Sequence, residues 1–487
     1  MTTMPQVLPE PILTGAPVSA RDRLLDLVDE GTFLEFNSEA RHRTSAFDMH
    51  HRRPAGDGVV TGLGRVDDRP IAFFAQESAV FGGSLGEVHA AKIVRVMDWA
   101  ARSRHPVIGL IDSGGARIQE GVGALDGYGA IFAANVRQSG RTPQISVVLG
   151  PCAGGAAYSP ALTDVVIMSK GRAHMFLTGP KVVKAVTNED VTADELGGSD
   201  LHSRKSGLAH LVAADDAEAL RLARRVLSYL PSSCWDEPPV APAADPEPMP
   251  ALPASHRQPY DVRRVVRAVV DQGSFLELQD RFARNLVIGF ARIEGHPVGV
   301  VANQPNAMAG TLDINASEKG ARFVRLCDAF GLPLVTFVDT PGFLPGLAQE
   351  SGGAIRKGAK LLYAYAEATV PRVTVVLRKA FGGAYIVMNS KSLGADAVFA
   401  WPDAELAVMG ADGAVDVIFR RALAAGTARA DLVDRYRSEA MNSRVAAERM
   451  SVDEIVEPAA TRRVVTHTLR SLIRSRQPRF RHDNLPQ

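Results

Sequence analysis

Cysteine is scarce. Cys152, Cys234 and Cys327 are the only ones in 487 residues, they lie far apart, and no CxxC pair occurs. This excludes a disulfide framework and a cysteine zinc ribbon, and it fits a reducing compartment. Net charge is lacking as well. The 55 basic residues are matched by 54 acidic ones, for a formal charge of +1, so composition offers no basic field for nucleic acid or for a membrane surface. No run is apolar over the roughly 18 residues that a spanning helix needs. Met1 to Ala20 has no basic stretch followed by an apolar core, the form of a secretory leader. The chain is expected to be cytoplasmic and to bind neither membrane nor nucleic acid.

Glycine, by contrast, is well supplied, and one glycine stretch occurs twice. GPCAGGAAY (Gly150 to Tyr158) directly follows the apolar run Gln144 to Leu149, and RKAFGGAY (Arg378 to Tyr385) directly follows Val373 to Leu377. Each copy reads as a buried strand breaking into a Gly-Gly turn that starts a small-residue helix. Such a turn leaves successive backbone N–H groups unpaired beside the positive end of a helix dipole. An oxyanion hole can be built this way without any side chain.

The rest of the chain repeats around these turns. Arg21 to Glu30 followed by GTFLEF returns as Val262 to Asp271 followed by GSFLEL. Strands predicted at Ile71 to Ala75 and Pro106 to Ile111 match those at Val298 to Ala302 and Pro333 to Val338. Helices predicted at Val88 to Ala101 and Ala316 to Phe330 match likewise, each entered through a short turn, Phe81 to Leu85 or Met308 to Leu312. Agreement through so many successive elements identifies a duplication. Pro231 to Pro259, rich in proline and alanine, is expected to be an extended linker. It would separate an N-terminal domain at residues 1–230 from a C-terminal one at 260–487. After the second turn come a strand at Ala397 to Ala400 and helices near Ala414 to Ala424, Ala430 to Met441 and Ala459 to Arg474, with a polar tail, Arg476 to Gln487, expected to wrap over the surface or a neighbour. Strands alternating with helices predict α/β in both halves.

The stretches FGGSLGEVHAAKI (Phe81 to Ile93), DSGGARIQEGV (Asp112 to Val122), KSGLAH (Lys205 to His210), RFVRLCDAFGLPLV (Arg322 to Val335) and TPGFLPG (Thr340 to Gly346), with the two turns, give the chain its resemblance. It resembles the carboxyltransferase (β) subunit of biotin-dependent acyl-CoA carboxylases, of the actinobacterial acetyl-/propionyl-CoA type. The resemblance implies two tandem crotonase-like (ClpP/crotonase) domains of repeated ββα units, and a ring-like hexamer in which the N domain of one subunit faces the C domain of another. It implies transfer of a carboxyl group from carboxybiotin to the α carbon of a short-chain acyl-CoA. Biotin would be carried by a separate α subunit bearing the carrier domain and biotin carboxylase, since no biotinylation motif or ATP-grasp region is present. No metal is expected on this chain. Two oxygens gain negative charge during such a transfer, so two holes are needed. By resemblance, Gly154 and Gly155 form one, and Gly383 and Ala384 the other. Gly114, Gly115, Ala116, Tyr158, Gly382, Tyr385 and Ile386 are expected to contact substrate, with Ile386 lining the acyl pocket. Asn188 stands where the family usually has glycine.

Plainer alternatives exist for several residues. A Gly-Gly turn after a strand is usually a packing device. Asp112 and Asp339, at strand ends, look like acid or metal positions but suit turn formers or helix caps. Cys152 could be imagined as a nucleophile, yet its counterpart is Ala380 and no histidine stands near it in sequence. Arg117 fits a phosphate contact and an acid partner equally well. Gly82-Gly83-Ser84-Leu85-Gly86 matches the GxSxG pattern of serine hydrolases, although the repeat replaces Ser84 by Thr311. A scaffold subunit that holds a catalytic partner is the remaining alternative.

Overall fold

The computed structural model describes residues 18–472 and Asn484. The chain forms two eight-stranded sheets of the same design. The first contains β1 (Leu34–Phe36), β2 (Val59–Val66), β3 (Arg69–Gln76), β4 (Val107–Ser113), β5 (Gln144–Ala153), β6 (Val165–Ser169), β7 (His174–Phe176) and β8 (Leu211–Ala213). The second contains β9 (Leu276–Leu278), β10 (Leu286–Ile293), β11 (His296–Asn303), β12 (Leu334–Thr340), β13 (Arg372–Phe381), β14 (Ala397–Ala400), β15 (Glu405–Ala407) and β16 (Glu454–Ile455). In each, three antiparallel strands lead into a parallel run, β3-β4-β5-β6-β8 and β11-β12-β13-β14-β16, while β7 and β15 pair with β5 and β13. Strands β4 and β12 are buried along their whole length, as parallel strands covered on both faces must be.

The predicted helices form, except that Ala414 to Ala424 breaks at Phe419 into Ala411–Ile418 and Arg420–Ala424, and the last is described as Thr461–Leu472, its predicted end lying outside the described residues. Ile93, Val96, Met97 and Ala100 place one stripe of Glu87–Ser103 in the core, and Asp313 caps Ile314–Ala329 by accepting from the Ala316 N–H at 2.8 Å. Strands β2 and β10 lie outside the predicted set, as do the short strands β1, β6 to β9, β15 and β16. The Gly-rich segment Val59–Val66 carries little apolar pattern of its own, and it is held by register against β3. Asn188 ends helix Pro180–Thr187 in the left-handed region, at φ 61°, a conformation asparagine tolerates and glycine adopts freely.

The halves share a core. One apolar cluster runs from Leu24, Phe73, Ile145 and Leu227 to Phe290, Phe323 and Val338, and Tyr229 stacks on Phe290 at 5.6 Å. Arg322, buried in the second half, donates to the carbonyls of Thr163 at 2.6 Å and Asp164 at 3.0 Å, and lies 2.9 Å from His210 Nε2, all in the first half. Burial lowers the Arg322 guanidinium to about 10 and holds His210 well below its ordinary value, neutral and able to accept.

The proline-rich segment has no regular secondary structure, but it is a strap and not a free spacer. The Cys234 N–H donates to Arg141 O at 2.8 Å, Ala241 N–H to Gly295 O at 3.0 Å, and Glu247 N–H to Arg267 O at 3.1 Å. A β carbon on Gly295 would stand 1.9 Å from Ala241 O, so only glycine admits the strap there. The polar C-terminal tail lies outside the described residues except for Asn484, which is buried and donates to Ser139 Oγ at 3.0 Å and to Asp164 Oδ1 at 2.9 Å.

Candidate active site

Both glycine turns leave their strands in the same way. The residues before them, Ala153 (φ −109°, ψ 147°) and Phe381 (φ −113°, ψ 142°), are extended. The next residues, Gly154 and Gly382, adopt φ 60° and 59°, a conformation open chiefly to glycine. A short helical turn then starts in each half, Gly154–Ala157 and Gly382–Val387. N–H groups at the start of such a turn have no carbonyl of their own helix to reach. In the second half the turn is α-helical, and no turn or loop carbonyl among the described residues takes the N–H of Gly383 or Ala384; in the first it is a 3-10 turn from Gly154 on, whose i→i+3 pattern returns the Ala156 N–H to Ala153 and leaves that of Gly155 ahead of it.

Superposing the turns by these torsions matches Gly154 with Gly382, Gly155 with Gly383 and Ala156 with Ala384. The expected pairs, Gly154 with Gly155 and Gly383 with Ala384, therefore stand one residue out of step. Ala156, buried beside Gly155, was absent from the expected set, although its repeat partner Ala384 pointed to it.

The expected substrate contacts fall into two groups. Gly115, at φ 101°, lies against the end of β5, where a β carbon would come within 2.8 Å of Ala153 O. Leu85 pairs with Ala116, so the loop Gly114 to Ala116 is laced between the turn Phe81–Gly83 and the first glycine turn. Tyr158 follows that turn and is half exposed. Tyr128 packs beneath it, 2.8 Å from where a Gly155 β carbon would sit. The second group, Gly382, Tyr385 and Ile386, surrounds Gly383 and Ala384. Here Phe343, matching Ala116, stands beside Gly383 at 3.9 Å from a virtual β carbon, and Ile386 is 43 % exposed.

Other residues resolve as structural. Arg117 is buried and bonds to Asp57 Oδ1 at 2.6 Å, Glu120 Oε1 at 2.8 Å and Ser84 O at 2.9 Å, so it is an acid partner. Burial pushes the Cys152 thiol up, which keeps it protonated. Asp112 and Asp339 are neither caps nor turn formers. Both are buried and paired with arginine, Asp112 with Arg23 at 3.0 Å and Asp339 with Arg378 at 2.8 Å. Ser84 does not sit on a strained elbow: β3 ends at Gln76, and Ser84 itself is extended at φ −67°, ψ 138°. The nearby His89 is buried, lowered to about 3 by desolvation, and engaged through Nδ1 with Asp57 O at 3.0 Å. It is not a base for Ser84. Asp48, His50 and His51 gather on an exposed turn, with ligand atoms within 4.8 Å of one another.

No helix among the described residues is long and apolar enough to cross a membrane. The carboxyl transferase domain model matches residues 17–485. The chain is 52 % identical, over 96 % of its length and 93 % of the other's, to the propionyl-CoA carboxylase carboxyltransferase subunit of Haloferax mediterranei. It is 48 % identical to the biotin-dependent acetyl-/propionyl-coenzyme A carboxylase beta5 subunit of Mycobacterium tuberculosis, covering 98 % of this chain and 91 % of the other. Among solved structures it matches transcarboxylase 12S, a hexamer with methylmalonyl-coenzyme A and methylmalonic acid bound, at a TM-score of 0.92 and 49 % identity over 96 % of this chain and 93 % of that one. The two sheets are thus the tandem crotonase-like α/β fold that was expected.

Proposed function

The chain belongs to the carboxyl transferase domain family, and from that premise we propose that it is the β subunit of an acyl-CoA carboxylase, acting on acetyl-CoA, propionyl-CoA or both. Residues 1–230 and 260–487 are its two carboxyltransferase domains. The duplicated turn carries this reading: one chain offers two strand-to-helix turns entered through a left-handed glycine, each able to present N–H donors at its start, and the reaction has two oxygens that gain negative charge. Gly155 with Gly154 or Ala156 would serve one oxygen, and Gly383 with Ala384 the other.

Carboxybiotin, borne by a separate subunit, supplies the activated carboxyl group. The residues present fit such a group: Gly383 is exposed and its front is open to a bulky ligand, with only Phe343 at ordinary contact distance from a virtual β carbon. What the chain contributes is position and charge stabilisation. The loop Gly114 to Ala116 and Tyr158 hold the acyl-CoA beside the first turn, and Ile386 gives the pocket an apolar floor that admits acetyl and longer acyl groups. No histidine or glutamate stands in the expected set to act as base, so the donors of the turns bear the catalytic load. Exposed apolar residues beside each turn, Tyr158 and Leu177 in one half and Ile386 and Val408 in the other, support cover by a neighbouring subunit in a homohexamer.

The test is reverse transfer by the purified chain, offered malonyl-CoA, methylmalonyl-CoA and ethylmalonyl-CoA with and without free biotin. Biotin-dependent loss of the carboxyl group is expected, and the rank of substrates reports what Ile386 admits. Gly383→Val is expected to lower the rate by at least about two orders of magnitude, the scale of losing one oxyanion donor. A folded wild-type oligomer inert toward all three substrates would favour the scaffold alternative.

A further inference from the structure

The buried carboxylates Asp112 and Asp339 sit where each sheet is irregular. Between the pairs Ile111↔Val148 and Ser113↔Cys152, the residues Leu149 to Pro151 of β5 all face Asp112. Between Val338↔Val376 and Thr340↔Ala380, the residues Leu377 to Lys379 of β13 all face Asp339. Each is a bulge, a device that bends a strand and re-aims the chain beyond it. In both halves that chain leads directly into the turn: its left-handed glycine, Gly154 or Gly382, lies four residues after Gly150 or Arg378.

Both bulges are held in the same manner by different residues. The Asp112 and Asp339 N–H groups meet matched amides, Gln76 Oε1 and Asn303 Oδ1, at 3.3 Å each. In the first half, Asp112 Oδ2 accepts from Arg23 of helix Ala20–Leu27 and from Ser78, each at 3.0 Å. A β carbon on Gly150 would stand 2.2 Å from Asp112 Oδ1, so the carboxylate lies directly on the bulged backbone. In the second half the position matching Gly150 is Arg378, whose own Nε donates to Asp339 Oδ2 at 2.8 Å, while the Lys379 N–H donates to Oδ1 at 3.2 Å. The residue matching Arg23 there is the apolar, buried Val265. The cation has changed position and the wider charge set differs, since Arg23 also reaches Asp216 Oδ2 at 3.0 Å and Lys379 Nζ lies 3.9 Å from Asp339 Oδ1, but an arginine contact to the bulge carboxylate has been kept.

We propose that Asp112 and Asp339 are positioning residues, each fixing through its arginine and its bulge the direction in which one glycine turn presents its N–H donors. Neither touches substrate. Their pairing with arginine also matters for charge: a lone buried carboxylate behind the turn would oppose the negative charge that the donors receive. The role in transfer rests on the proposed function, whereas the control of turn geometry does not.

The test uses the full chain with Asp112→Asn and Asp339→Asn, near-isosteric changes, and Glu277→Gln as a control that breaks the Arg263–Glu277 pair, which has Nε···Oε2 at 2.6 Å and involves neither turn. Hydrogen exchange is followed on peptides spanning 149–158 and 377–387. Each aspartate variant is expected to speed exchange in its own turn only, and the control in neither. In biotin-dependent reverse transfer, kcat is expected to fall on the order of 10²-fold, as for small misplacements of a catalytic group, with the KM for acyl-CoA little moved. Unchanged exchange in both turns, or loss of stability with wild-type kcat, overturns the positioning role. An inactive wild type would sink the proposed function instead, and the exchange comparison would still decide the geometry. Two halves give two independent variants, so a folding failure in one leaves the other to decide.

Discussion

The first half balances its bulge carboxylate with an arginine from outside the sheet, and the second half with an arginine inside the bulge itself. The first glycine turn rests on the Tyr128 ring, whereas the second faces Phe343 across an open gap. What the halves keep in common is narrower than their sequences suggest. It consists of a left-handed glycine, a short helical turn after it, and an arginine–carboxylate contact behind it. Duplication has preserved the geometry at the turn and left the means of support free to change.

The largest effects are expected at the turns. Gly154→Val and Gly382→Val each put a β-branched residue at φ near 60°, and each is expected to cost at least about two orders of magnitude in kcat, measured by steady-state transfer. A turn that tolerates this change is not part of the site. Next in size is the pin between the halves. Arg322→Met leaves His210 and two carbonyls of the first half without their buried donor, and is expected to cost about 3–5 kcal/mol in denaturant unfolding. A loss below about 1 kcal/mol would show the halves to be nearly independent. The two turns also differ in what lies against them. Gly155→Ala drives a methyl into Tyr128 and should cost about 1–3 kcal/mol, whereas Gly383→Ala meets only Phe343 at 3.9 Å and should leave stability unchanged. Equal effects would mean that the turns are packed alike.

The smallest expected effect concerns a matched pair of buried lysines. Lys92 donates to Gly56 O and Val59 O, and Lys319 to Gln279 O and Phe282 O, each closing the loop ahead of β2 or β10. Burial lowers Lys92 to about 8 and Lys319 to about 7, from 10.5. Above these values the folded chain has released a proton that the unfolded chain still binds, so stability rises with pH. For Lys319 the rise begins near 7, and for Lys92 near 8. The slope is at most ~1.4 kcal/mol per pH unit for each lysine. Urea midpoints between these two values should therefore rise less in Lys319→Met than in wild type, and as much as wild type in Lys92→Met. The reverse order would contradict the assignment.

The turns and the repeat were legible in sequence because glycine pairs and apolar runs are local signals. Strand β2 was not, since its two glycines interrupt its apolar pattern and its place is fixed by register against β3, whereas β10, the buried apolar run LVIGFARI, carries a signal that the predicted set omits. The segment Pro231 to Pro259 read as an extended linker from its composition, which does not reveal the backbone groups that anchor it. Asp112 and Asp339 read as caps because their arginines lie 89 residues before one and 39 after the other. No common spacing marks the pair. Arg117 could only be decided by seeing Asp57 and Glu120 beside it. The acid-pair reading was the plainer one, and it holds.

Under the proposed function, one site would need both turns and draw them from different subunits. Mixing tests it directly: Gly154→Val and Gly382→Val chains, each inactive alone, are dissociated together, reassembled and assayed for biotin-dependent decarboxylation of methylmalonyl-CoA. A site built between subunits should regain about a quarter of wild-type activity, from contacts where an intact first turn meets an intact second turn. Sites built within single chains would regain none, because every chain carries one damaged turn, and that result would contradict the account.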